Sequence, residues 1–219
     1  FMRGSSYAPQ TAEELIETIP VTGNLDHFWK DLLELEENGD IIKTRFGTYG
    51  LPEKMGLVVG RFQLTSKGFG FVIPDNKGER PDVFIPPRAL GGAMNNDRVM
   101  ARVESSSGGK KPEGEIIRII THANNKIVGI FHQSGDFGFV TPDDKRIGQD
   151  IYIMKRHFGG AKTNQKVVAE ITQWPVERRN AEGKVIEILG NVGDVGLEIL
   201  SIIKQNDLPL EFPPQVLEA

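Results

Sequence analysis

The sequence predicts a mainly β chain with a small α+β unit: two tandem five-stranded barrels of the OB type, preceded by helices and a hairpin. Three observations carry this. The middle of the chain repeats itself at an offset of 68 or 69 residues. Within each copy, short segments rich in Val, Ile and Phe are separated by Gly, Asn, Asp and Pro clusters, the pattern of a small antiparallel barrel or sandwich. Ahead of the first copy, the apolar residues fall at helical spacing instead.

The opening segment, residues 1–57, contains a capping box, Thr11 with Glu14, that starts a short helix. Asn24 caps a second helix carrying Leu25, Phe28, Trp29, Leu32 and Leu33 at helical spacing, and Gly39 ends it. Phe28 and Trp29 are expected in its core. Asp40 to Pro52, "DIIKTRFGTYGLP", reads as strand, Phe-Gly turn, strand. A helix followed by such a hairpin resembles a winged helix-turn-helix. The resemblance puts Lys43, Arg45 and Tyr49 of the wing against nucleic acid. The ten acidic against five basic residues of this segment point as readily to a unit that packs, or that contacts protein.

The repeat occupies residues 58–121 and 122–190. "VGRF" at Val59–Phe62 recurs as "VGIF" at Val128–Phe131, "DVFI" at Asp82–Ile85 as "DIYI" at Asp150–Ile153, and "NDRV" at Asn96–Val99 as "NQKV" at Asn164–Val167. In the first copy five strand-like segments lie near 58–65, 69–74, 82–86, 98–104 and 114–120, with a long loop, Ser105 to Pro112, before the last. Residues 191–219 read as a linker with a helix.

Composition narrows the function classes. A chain of 219 residues with 38% hydrophobic and 26% charged content can bury more than one core. No apolar run is long enough for a membrane span and no secretory signal opens the chain, so a cytoplasmic location is expected. Without cysteine there are no disulfides, thiolate metal sites or Cys nucleophiles. The net charge of −4 conceals a basic middle: Lys+Arg against Asp+Glu is 10 to 7 over 58–121 and 10 to 8 over 122–190, but 1 to 5 over 191–219. That excess is compatible with a phosphate-bearing partner and equally with ordinary solvated surface.

"SKGFGFVIPD", Ser66–Asp75, nearly recurs as "SGDFGFVTPD", Ser134–Asp143. Side chains alternate along a strand, so Phe69 and Phe71 share one face while Gly70 and Val72 share the other. In the neighbouring segment Phe84 opposes Val83 and Ile85. The second copy keeps this parity with Phe137, Phe139 and Tyr152 opposite Val140, Ile151 and Ile153. Parity alone leaves two arrangements open: the rings as core, or the rings as an outward platform with glycine facing inward.

"KGFGFV", Lys67–Val72, followed by "DVFIPP", Asp82–Pro87, is similar to the two RNA-binding motifs of cold-shock domains, whose aromatics stand outside the barrel. The resemblance implies base stacking by Phe69, Phe71 and Phe84, with Lys67 beside them for phosphate; Arg88 is a further candidate RNA-binding residue. In the second copy it implies stacking by Phe137, Phe139 and Tyr152, with Lys155 and Arg156 as cations. Two departures stand out: Pro86 lies where a cold-shock domain usually has histidine, and Gly135-Asp136 replaces Lys67-Gly68. A winged helix ahead of two such domains resembles the N-terminal arrangement of RNase R-type 3′ to 5′ exoribonucleases of the RNase II family. "YGLPEKMGLVVGRF", Tyr49–Phe62, looks like the junction in that family.

The resemblance implies an RNA-binding region that guides single strands to a nuclease domain beyond this chain, built on aspartates that hold magnesium. Both ends of the chain, Phe1 and "PLEFPPQVLEA", are expected to be those of a fragment. A self-contained regulator or RNA chaperone is the alternative. No cofactor, metal site or catalytic residue is expected in these residues: Asp143-Asp144 reads as a turn, and His27, His122, His132 and His157 have no zinc spacing. Trp174, near Arg178 and Arg179, reads equally as a stacking residue or a loop anchor.

Overall fold

A computed structural model describes residues 1–20, 24–76, 80–104, 112–176, 179–206 and 208. The chain forms two compact units, Phe1–Ala123 and Asn124–Ala219. Most of the expected loop before the fifth strand of the first copy (residues 105–111), Arg178 and residues 209–219 lie outside the described residues.

In the first unit, α1 (Ala12–Thr18) opens with the expected box: Glu14 N–H donates to Thr11 Oγ1 at 3.3 Å and Thr11 N–H to Glu14 Oε2 at 2.8 Å. Asn24 Oδ1 accepts from Asp26 N–H to cap α2 (Leu25–Glu37), and Gly39, with φ of 74°, turns the chain out of it. β1 (Ile42–Lys43) and β2 (Tyr49–Gly50) make the hairpin. Leu15, Leu32, Ile41 and Tyr49 form the core of this segment.

Two sequence expectations fail here. Trp29 is 40% exposed instead of buried, because five apolar positions on α2 span more arc than one helix face can hide, and Leu32 and Phe28 take the inward side. Tyr49 is only 4% exposed, since β2 bridges to Gln10 and turns the ring into the core, so it is removed from the wing's contact residues.

The first barrel follows: β3 (Leu57–Leu64), β4 (Gly70–Pro74), β5 (Val83–Ile85), β6 (Arg98–Val103) and β7 (Gly114–Thr121), in the sheet order β5-β4-β3-β6-β7. A parallel bridge between Phe84 and Glu113 links its two edges. Its core is made of Phe62, Val72, Val83, Ile85, Val99 and Ala101. Arg98 joins barrel to helix, pairing with Asp75 at 2.8 Å and donating to the Asn38 carbonyl at the end of α2.

The second unit repeats the plan and closes it fully. β8 (Lys126–Ser134), β9 (Phe137–Pro142), β10 (Ile151–Met154), β11 (Gln165–Gln173) and β12 (Glu182–Asn191) form a closed barrel, sealed by a parallel pair between β10 and β12. Equivalent non-glycine residues, Asn96 and Asn164, adopt left-handed φ of 70° and 66° at the same turn, a conformation asparagine tolerates. α3 (Leu197–Gln205) packs on this barrel, fastened where the buried Lys166 meets Asp143 at 3.0 Å and Glu198 at 3.3 Å. Burial works against the Lys166 ammonium, but Asp143 and then Glu198 outweigh it and hold its pKa above the ordinary lysine value.

Candidate nucleic-acid interface

The register explains why the aromatic motif is built as Phe-Gly-Phe. Inside the first barrel the ring of Phe62, fully buried, occupies the space a Cβ on Gly70 would need. In the second, Phe131 does the same to Gly138, 2.7 Å from where that Cβ would lie. Glycine therefore faces inward because a core ring claims its place, and strand alternation sends the flanking phenylalanines outward.

Cross-strand pairing then assembles them. In the first barrel Gln63 of β3 lies opposite Phe71 of β4, and Phe71 opposite Phe84 of β5, which makes a row across three strands. Phe69 joins from the turn before β4. The centroids of Phe69, Phe71 and Phe84 are 5.6 to 5.9 Å apart and their planes are tilted by 50° to 85°. All three rings are half-buried, while Val72, Val83 and Ile85 beneath them are core. Lys67 stands exposed at the adjoining turn; Arg88, also exposed, lies 3.3 Å from Glu113.

In the second barrel the row is His132, Phe139 and Tyr152. His132 and Phe139 stack at 5.2 Å and 30°; Phe137 and Tyr152 stack at 5.7 Å and 24°. Phe137 and Tyr152 are 40% and 37% exposed. Lys155 is held by Asp136 at 2.6 Å, and Arg156 lies beside His157. The Lys155 hydrogen bond, then its charge, holds the Asp136 carboxyl below the usual carboxylate range. Both rows present flat apolar faces to solvent next to cations, a surface able to stack planar rings and accompany a charged backbone.

Two residues escaped the sequence reading. His132 extends the second row, and the signal was available, because it alternates with the core residue Phe131 and so must face outward. Phe46, at the tip of the β1–β2 hairpin, is 74% exposed with the Arg45 guanidinium 4.8 Å from its ring centre. Lys43 lies against the Tyr49 ring at 5.6 Å. Trp174 is half-buried, and of the two arginines near it Arg179 is described and exposed.

The adjacent carboxylates of the second barrel are already engaged. Asp143 pairs with Lys166, and Asp144 caps a turn at Arg146 N–H while pairing with the Arg146 side chain at 2.9 Å. Burial pushes the Asp144 carboxyl up, but the bonds from Arg146 prevail and leave its pKa below the ordinary value. Among the described residues no three His, Asp or Glu side chains converge as a metal site. No helix among them is long and apolar enough to cross a membrane.

Comparison with known proteins agrees with this geometry. Residues 60–119 match the Ribonuclease B OB domain and residues 139–213 the Cold shock domain. The class is therefore a tandem OB-fold protein of the cold-shock type. Ribonuclease R of Thermotoga maritima is 36% identical over 189 residues, which cover 84% of this chain and 26% of that protein. For Vibrio parahaemolyticus ribonuclease R the identity is 31% over 211 residues, 95% of this chain and 25% of that protein. Among solved structures, Mycoplasma genitalium RNase R, determined in complex with ribose methylated single-stranded RNA, has the same fold at a TM-score of 0.63 and 20% identity, covering 73% of this chain and 26% of that one. Yeast Ssd1, a pseudonuclease, shares the fold at a TM-score of 0.59 and 15% identity, with 76% and 29% covered. Within its class, the chain is an N-terminal region of the ribonuclease R type, spanning about a quarter of the length of these two curated relatives.

Proposed function

We propose that this chain is an RNA-binding region of a 3′ to 5′ exoribonuclease, which captures single-stranded RNA on its outward aromatic rows and guides it to a nuclease domain elsewhere in a longer, cytoplasmic protein. The observation that carries the reading is the cluster of Phe69, Phe71 and Phe84, three rings within 5.9 Å of each other on the outside of a barrel whose interior is already filled. Rings spent on a surface cost solubility, and stacking unpaired bases offsets that cost by about 1–3 kcal/mol per base. Lys67 and Arg88 flank this cluster for phosphate contact, and Lys155 and Arg156 do so on the second barrel beside Phe137, Phe139 and Tyr152. On the hairpin, Lys43 and Arg45 with the exposed Phe46 form a weaker nucleic-acid contact. Kinship with ribonuclease R supports the nuclease role, and on this reading magnesium is held by aspartates of the nuclease domain.

Titrating the chain with labelled single-stranded RNA of roughly ten nucleotides, within reach of one or two OB folds, is expected to give saturable binding that duplex RNA of equal length matches poorly. Equal affinity for both would overturn capture by stacking. The longer protein is expected to release nucleotides from 3′ ends with magnesium and to stop when the metal is chelated. A longer protein that binds RNA but leaves it intact would favour a regulator or RNA chaperone instead.

A further inference from the structure

The second helix breaks two local rules at once. Leu25, Trp29 and Leu33 lie one turn apart along a single stripe of α2 and are 50%, 40% and 55% exposed, although the inward face of the helix, Leu32 and Phe28, is already satisfied by core. The last turn has no basic residue, yet Glu34, Glu36 and Glu37 crowd it, where the negative end of the helix dipole favours cations. Helical geometry puts Asp26, Glu36 and Glu37 on or beside the stripe. Among the described residues none of these three carboxylates takes part in an ion pair, and Lys30 is the sole lysine or arginine of the helix.

We propose that this face of α2 docks a basic amphipathic helix of a partner protein. Apolar side chains of the partner, spaced at helical intervals, would fill the Leu25–Trp29–Leu33 stripe, while its lysines or arginines meet Asp26, Glu36 and Glu37. A nucleic acid does not suit the surface, because its phosphates would face this carboxylate rim, within a segment of ten acidic and five basic residues. A second copy of the chain suits it no better, since a two-fold pairing through the stripe sets the same acidic rim against itself. The N-terminal segment thus carries a basic, aromatic hairpin tip and an acidic, apolar helix, faces with opposite preferences.

The proposal does not rest on RNA binding, and the peptide titration is run without RNA. The probe is a labelled helical peptide with leucines along one face and lysines on the other; the control replaces every lysine by glutamate. The lysine peptide is expected to bind the full chain and the glutamate peptide to fail. Trp29→Ser with Leu33→Ser should weaken binding at least about tenfold, as anchors of an interface do. Glu36→Lys with Glu37→Lys should do the same with the apolar stripe intact, and circular dichroism should show that both variants remain folded. Equal binding of both peptides, or affinity untouched by Trp29→Ser with Leu33→Ser, would overturn the proposal. Concentration-dependent self-association lost in that variant would overturn it in favour of a second copy, and single-stranded RNA binding by the chain lost in that variant would do so in favour of a nucleic-acid surface.

Discussion

The two barrels share a backbone plan, a buried ring under an inward glycine, and a three-residue row across equivalent strands, yet their outer surfaces differ in grip. On the first, three phenylalanines tilt steeply against one another in one cluster next to the exposed Lys67, which makes no ion pair among the described residues. On the second, the rings form two separate, nearly parallel stacks, and Lys155 is occupied by Asp136. Duplication preserved the interior, where any change of volume is felt, while the exterior diverged freely. The first row is expected to hold RNA and the second to guide it.

The widest gap between the barrels should appear when the rings are removed. Phe69→Ala with Phe71→Ala is expected to weaken single-stranded RNA binding by about 2–6 kcal/mol at constant salt, and Phe137→Ala with Phe139→Ala by about 1–3 kcal/mol. Both variants should keep a cooperative thermal transition, because these rings are outside the cores. Equal losses would abolish the ranking of the two sites, and loss of the transition would show the rings to be structural.

Much of this was legible in the sequence, and what escaped follows from pairings that a linear reading does not contain. The repeat and the strict alternation of Phe69, Gly70, Phe71 and Val72 located the strands, and the hairpin and capping box at Thr11 formed as read. Tyr49 faces inward and Phe46 outward, which the sequence did not reveal because a hairpin of two-residue strands has too little alternation to assign faces, and the bridge to Gln10 decides that of Tyr49. Trp29 misled because helical spacing counts apolar positions but not how many a small core can take. The Asp136–Lys155 pair spans 19 residues and appears only once β9 and β10 align Phe137 with Met154.

That pair offers the next test. The Asp136 carboxyl, held below its usual pKa by Lys155, stays ionised and paired throughout the neutral range. Asp136→Lys releases Lys155 and adds a second cation, restoring the charge that Lys67 supplies to the first barrel. The salt dependence of log K for single-stranded RNA is expected to steepen by about 1.4, two phosphate contacts at roughly 0.7 each, with tighter binding below 0.1 M salt. An unchanged slope would mean that RNA does not pass this surface, and the second row would lose its guiding role.

The smallest effect expected belongs to Lys67 itself. Its side chain is exposed at the β3–β4 turn and supports no described ion pair, so replacing it leaves the fold and the stacking rings untouched. Lys67→Gln should therefore lower the salt slope by about 0.7, the mark of one lost phosphate contact, while affinity extrapolated to high salt, where stacking dominates, stays the same. A variant whose slope is unchanged but whose affinity falls at every salt concentration would show that Lys67 acts on the rings and not on phosphate. The contrast in grip would then reside in ring geometry alone, with the charge difference between Lys67 and Asp136 incidental to it.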